Sequence, residues 1–180
     1  MVPKAIQLLS GKEKVIALSL FARECVTASA VKSKLDANVF ETDQSGAPLP
    51  SNGIFWSLSH KPGYVAGVVS RQRVGIDIEQ LKPVSDDVFK RIVDPIESLH
   101  FVNQEKMLVF FRIFTAKEAV LKKERLGFKG LSKIKIHEVL DDTHLIVQYL
   151  DKKYQVENFY FDGGLASVTK ENEDIEWSFR

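Results

Sequence analysis

Material for covalent cross-links and soft-metal sites is almost absent from this chain. Cys25 is the only cysteine in 180 residues, so no intrachain disulfide can form and no cysteine-rich metal site can be built. That usage fits a reducing compartment. An excess of one charge is missing too. Lys and Arg number 25 against 24 Asp and Glu, a net charge of +1. A dedicated nucleic-acid binder usually carries a strong basic surplus. Long hydrophobic runs are also lacking. The most apolar stretch, Met107–Phe114, is interrupted by Arg112, whereas a membrane span needs ~20 apolar residues. Near the start, the short run Ala5–Leu9 gives way to Lys12, Glu13 and Lys14, which is a poor leader sequence. The expectation is a cytoplasmic protein with no membrane or nucleic-acid partner. No P-loop, G-x-G-x-x-G or G-x-S-x-G motif occurs. Nucleotide-hydrolase, dinucleotide-dehydrogenase and α/β-hydrolase readings therefore lose their main support.

What is present suits a globular fold. Hydrophobic residues make up 44% and charged residues 27%. A chain of this length buries roughly 70% of its unfolded surface, enough for one domain or two small packed halves. Ser10 and Glu13 have capping-box spacing, and apolar residues follow at helical intervals. They predict a helix over Gly11–Lys34, with a break near Thr27 as the alternative to one continuous rod. The segment Asp43–Gly53 is dense in turn formers. Three strand-like runs come next: Ile54–Ser59, Tyr64–Ser70 and Val74–Glu79. Their short connections predict an antiparallel meander. Ser85–Leu99 reads as polar helix interrupted by Pro95. A long helix is expected over Asn103–Arg125, ended by Gly127 and Gly130. Five further strands are expected at Lys133–Val139, Leu145–Leu150, Tyr154–Phe161, Leu165–Thr169 and Ile175–Phe179. A weak echo relates Gly63–Val69 to Gly163–Thr169, and Asp77-Ile78-Glu79 to Asp174-Ile175-Glu176. It fits two related halves or chance similarity among small residues.

Three segments carry chemistry. In Gly75-Ile76-Asp77-Ile78-Glu79, strand alternation puts Asp77 and Glu79 on one face and the isoleucines on the other. The two carboxylates either converge on a hard cation or form a solvated face. On the long helix, Met107, Phe110, Phe111, Phe114 and Leu121 make an apolar stripe, and Glu118 falls inside it. A carboxylate there must be paired or metal-bound. The bland reading is a salt bridge to Lys122 one turn on. The sharper one is a metal ligand beside the phosphate-binding lysines Lys117 and Lys122, with Lys123 merely solvated. Third is Ser57-Leu58-Ser59-His60. A meander would leave Ser59 and His60 roughly 10 Å from Asp77 and Glu79, two strand spacings away. His100, His137 and His144 share no metal-ligand spacing and read as structural.

In this order the segments resemble the 4′-phosphopantetheinyl transferase superfamily, in its larger single-chain, surfactin-synthetase-activating type. Gly75–Glu79 is similar to the first acidic motif. Phe114-Thr115-Ala116-Lys117-Glu118-Ala119-Val120-Leu121-Lys122 is similar to the second, and Phe55–His60 to the segment before them. The resemblance implies an α+β fold of two similar halves, each an antiparallel sheet packed with a long helix and related by a pseudo-two-fold. Residues 1–180 would form a single transferase domain, with approximate halves 1–100 and 101–180. The implied reaction is Mg²⁺-dependent transfer of 4′-phosphopantetheine from coenzyme A to a serine of an apo acyl or peptidyl carrier protein, releasing adenosine 3′,5′-bisphosphate. By resemblance, Asp77, Glu79 and Glu118 surround Mg²⁺, Glu79 acting through water. Ser59 and His60 meet the 3′-phosphate of coenzyme A, and Lys117 and Lys122 its diphosphate. Asp77, Glu118 and Lys122 form the catalytic set.

There are departures. The family often has Gly-Lys-Pro in the nucleotide loop, where Gly46-Ala47-Pro48 stands here. The N-terminal region is shorter, with Lys14 in place of an expected arginine. Lys61 is the candidate to compensate. Glu97 takes the place of a family acid, in a different local sequence. A monomer is expected, since two halves in one chain suffice. Two rival classes stay open: a non-catalytic coenzyme A or carrier-protein binding module of the same fold, and a Mg²⁺-dependent phosphohydrolase.

Overall fold

The short helix α1 (Lys4–Gln7) leads into α2 (Gly11–Lys32), which runs unbroken through Thr27. Leu18, Ala22, Val26 and Ala30 recur every four residues and form its buried face. Ser10 precedes it in extended conformation, but its side chain makes no capping bond, so the expected capping box does not form. That face covers a two-stranded sheet of β1 (Phe55–His60) and β2 (Val65–Ser70). Contact is close. A Cβ on Gly67 would stand 2.5 Å from the backbone nitrogen of Val26, so only glycine lets the helix settle there. Ile54, Trp56, Val69, Val26 and Ala30 make the core of this layer. A computed structural model describes residues 1–179 of the chain.

The larger layer is a five-stranded antiparallel sheet. It contains β3 (Ile76–Gln80), β4 (Ile134–Val139), β5 (His144–Tyr149), β6 (Lys152–Phe161) and β7 (Gly164–Lys170), ordered β3-β7-β6-β5-β4. Between β3 and β4 lie α3 (Asp86–Ile92), α4 (Pro95–Ser98), the long helix α5 (Lys106–Glu124) and a 3₁₀ turn at Phe128–Lys133. Pro95 does divide the polar helical stretch, and Asp94 and Glu97 close a capping box around the break. Ile113, Ala116 and Val120 of α5 pack on Leu145, Val147, Val156 and Leu165 of the sheet. The architecture is mixed α+β, as expected. Each layer is an antiparallel sheet with one long helix, although the layers are unequal.

Two expectations about strands need correcting. The third strand does not extend the meander. It leaves β2 and pairs with β7, from Ile76 opposite Val168 to Gln80 opposite Gly164. Ile76, Asp77, Ile78 and Glu79 are all buried, and a strand covered on both faces needs a partner within the larger sheet. Its contact with β1 runs through serines, Ser57 Oγ accepting from the Ile76 N–H at 3.1 Å. The second correction concerns Ile175–Phe179, which makes no ladder. It lies on the large sheet through its aromatics. Trp177 stacks on Phe159 at 4.8 Å, donates Nε1–H to Glu157 at 2.7 Å, and is followed by Phe179 against the same ring. Among the described residues, no helix is long and apolar enough to cross a membrane.

Candidate active site

The site forms where β3 crosses α5. Gly75 makes the crossing: a Cβ there would lie 1.9 Å from the Ala119 carbonyl oxygen. The absence of a side chain brings Asp77, two residues on, to the turn of α5 that carries Glu118 and Lys122. Lys122 Nζ donates to Asp77 Oδ1 at 2.8 Å, to the Ile76 carbonyl at 2.9 Å and to the Leu58 carbonyl at 3.2 Å. Ser59 Oγ donates to the same Asp77 Oδ1 at 2.7 Å. The roughly 10 Å separation expected from a meander is therefore wrong. Once β3 moves into the other sheet, β1 becomes its direct neighbour. The bland pairing of Glu118 with Lys122 is also absent, because Lys122 reaches across to Asp77 instead.

Two carboxylate oxygens are left over. Asp77 Oδ2 and Glu118 Oε1 are buried and accept no hydrogen bond. Leaving such a group unpaired costs about 1–3 kcal/mol, more if it is charged. Burial pushes the Glu118 carboxyl up to about 7, and the Asp77 charge adds to the rise, while Lys122 and Lys61 oppose it. Burial also raises Glu79, although Lys61 Nζ sits 2.6 Å from its Oε1. His60 is held below its ordinary value by burial and then by Lys122 and Lys61. The cluster contains too little positive charge for its carboxylates. Mg²⁺ takes oxygen donors and commonly rests on one or two carboxylates completed by phosphates and waters. The two orphaned oxygens fit that chemistry. No group of three or more His, Cys, Asp or Glu converges as a metal set among the described residues. Glu79, drawn to Lys61, stands apart from the open pair.

The remaining predicted residues divide. His60 ends β1 beside Lys122 and Lys61. Lys117 is not brought to the cluster. It is buried in an ion pair with Glu97 at 2.7 Å and donates to the Ile92 carbonyl at 3.3 Å. Five residues along a helix separate Lys117 from Lys122 by more than a full turn, so the two ammonium groups serve different neighbours. Lys14 donates to the Gln7 carbonyl at 2.7 Å and ties α2 to α1. Lys123, read as solvated, is buried and donates to the Arg73 carbonyl and to Glu171, each at 2.5 Å. Gly46 takes a positive φ of 83° in a turn organised by Asp43, whose Oδ1 accepts from the N–H groups of Ser45 and Ala47. Pro48 from that loop lines a cleft with Pro50, Trp56, Arg73, Lys122 and Arg125. Sequence reasoning missed Arg73 and Arg125. The one local signal was Arg125 standing two residues before Gly127, at the end of the predicted helix.

Comparison with known proteins bears on the same segments. The family model described as the 4′-phosphopantetheinyl transferase superfamily matches residues 73–171, more than half of the chain. A stretch of 101 residues is 34% identical to the 4′-phosphopantetheinyl transferase psf-1 of Bacillus pumilus, covering 52% of this chain and 41% of that protein. HetI, a 4′-phosphopantetheinyl transferase of Nostoc sp., is 32% identical over 108 residues, 54% of this chain and 46% of its own length. Enterobactin synthase component D of Salmonella typhi is 33% identical over 109 residues, 57% of this chain and 46% of its own. The matched regions thus amount to less than half the length of these relatives.

Proposed function

The chain belongs to the 4′-phosphopantetheinyl transferase superfamily, and on that premise we propose that it transfers 4′-phosphopantetheine from coenzyme A to a serine of an apo acyl or peptidyl carrier protein. The observation that carries the reading is the pair of buried, unpartnered oxygens, Asp77 Oδ2 and Glu118 Oε1, beside the lysine Lys122. Asp77 and Glu118 would hold Mg²⁺, with Glu79 reaching it through water. When bound, Mg²⁺ supplies charge stabilisation at the diphosphate of coenzyme A. Ser59 and Lys122 fix Asp77 Oδ1, which leaves Oδ2 without a partner. Lys122, 30% exposed at its side chain, can also meet a diphosphate oxygen. His60 offers a ring N–H to the 3′-phosphate. Gly46 and Pro48 form the wall for the nucleotide.

In the transfer, the carrier serine oxygen bonds to the phosphorus that bears the pantetheine arm. The bond from that phosphorus to the oxygen of the departing adenosine 3′,5′-bisphosphate breaks. The serine proton passes to the Glu118 carboxylate, an acid of the cluster with an unpartnered oxygen, acting as general base. Lys117 has no part in this reading, because Glu97 already engages it.

The test is intact-mass spectrometry of apo carrier proteins incubated with this protein, coenzyme A and Mg²⁺. A phosphopantetheine-sized mass gain that EDTA abolishes is expected. Coenzyme A binding by calorimetry with no gain on any carrier would replace the transferase reading with a binding module.

A further inference from the structure

A second feature of the cleft lies outside the carboxylate cluster. The last turn of α5 ends on Arg125 in left-handed conformation, φ 57° and ψ 36°. Glycine normally occupies that position, because other residues are strained in it. From there the Arg125 guanidinium forms an ion pair with Asp43 Oδ2. The other oxygen of Asp43 holds the loop itself, through Ser45 and Ala47. A strained arginine therefore joins the end of α5 to the Gly46–Pro48 turn across 82 residues of sequence. Arg73 faces the same cleft. Its backbone is anchored by buried Lys123, while no hydrogen bond or ion pair of its own guanidinium is found among the described residues. An arginine presents five donors in a planar fork, the geometry that phosphate accepts.

Resting on the proposed coenzyme A reading, we propose that Arg73 and Arg125 bind the phosphates of the nucleotide end, with Asp43 positioning Arg125. Lys61 pairs with Glu79 on the carboxylate side of the site. Pro48 and Pro50 give the cleft an apolar edge beside the cations.

The experiment measures adenosine 3′,5′-bisphosphate and uncharged adenosine by calorimetry in EDTA, so that the carboxylate cluster holds no metal. Arg73→Ala and Arg125→Ala are each expected to weaken the bisphosphate about tenfold and to leave adenosine within about twofold. Arg125→Gly is the decisive variant. It relieves the left-handed strain, so its melting temperature should match or exceed wild type while its bisphosphate affinity falls. Arg125→Lys should recover part of the loss. Asp43→Asn should weaken binding, and the Asp43→Asn/Arg125→Ala double variant should bind no more weakly than Arg125→Ala alone. Wild-type affinity in both Arg73→Ala and Arg125→Gly overturns the inference and leaves the coenzyme A reading standing. Failure of the wild-type protein to bind bisphosphate and coenzyme A overturns both.

Discussion

Two of the lysine–carboxylate pairs on helix α5, Lys117–Glu97 and Lys122–Asp77, differ in one respect. Lys117 and Glu97 are sealed, with both side chains 3% exposed. Every oxygen of Glu97 is used: Oε2 accepts from Lys117 Nζ and the Asp94 N–H, and Oε1 from the Ile136 N–H at 2.7 Å. Lys122 and Asp77 are open. Lys122 is 30% exposed, Asp77 keeps one oxygen unpartnered, and Glu118 beside it keeps another. The closed pair binds the α3–α4 segment and β4 to α5, and it has no capacity for a ligand. The open pair has spare acceptors and one reachable cation. A buried ion pair whose valences are filled is architecture, whereas one left unfilled is a site.

Substitutions can break this contrast. The largest expected effect is on the open side: Glu118→Gln should reduce carrier modification by roughly 10³-fold or more while the protein stays folded. Circular dichroism beside the mass assay checks it, and near-normal turnover would remove Glu118 from the chemistry. On the closed side, Glu97→Gln should cost about 3–5 kcal/mol of stability by stranding the buried Lys117 charge. Denaturant unfolding reads that loss. Replacing both partners, Glu97→Leu with Lys117→Met, should cost less than Glu97→Gln alone. If the single change were neutral, the pair would not be structural cement.

The pH dependence sharpens the comparison. Glu118 has a folded value of about 7 against an ordinary 4.5, so the folded chain keeps a proton that the unfolded chain releases. As far as this group is concerned, metal-free stability should therefore be highest below pH 4.5 and fall as pH rises from there through 7. Above pH 7 the full cost applies, on the order of 1–2 kcal/mol after allowing for solvent screening. Thermal unfolding of wild type and Glu118→Gln in EDTA should diverge upward from about pH 5, with the variant the more stable. Saturating Mg²⁺ should then raise the wild-type melting temperature at pH 8 and leave that of Glu118→Gln nearly unmoved. The smallest effect belongs to Ser59→Ala. It removes one of two donors to Asp77 Oδ1 and should cost about 1 kcal/mol, since Lys122 still pairs with that oxygen.

Much of this molecule could be read from local pattern. The α5 stripe, the turn-rich segment before β1 and the alternation in β3 each appear in the structure within a few residues of where periodicity places them. Glu118 stood out because it interrupted an apolar helical stripe, and Asp77 because it shared one face of an alternating strand with Glu79. Other features were hidden for a common reason. Lys117, Lys122 and Lys123 look alike in sequence, and nothing local separates the sealed lysine, the open one and the anchor of Arg73. The partners of these lysines come from Glu97, Asp77 and Glu171, which lie 20, 45 and 48 residues away.

By itself, then, the sequence determined the helix and strand periods, the α+β class and the residue types able to hold a cation and phosphates. Side-chain period and composition are local properties, and no tertiary contact is needed to state them. The tertiary structure alone decided that β3 pairs with β7, that Gly75 admits Ala119 and that Arg125 reaches Asp43. Ladder partners, close approaches and ion pairs depend on which distant segments compete for the same buried surface. That competition is resolved only when the whole chain packs.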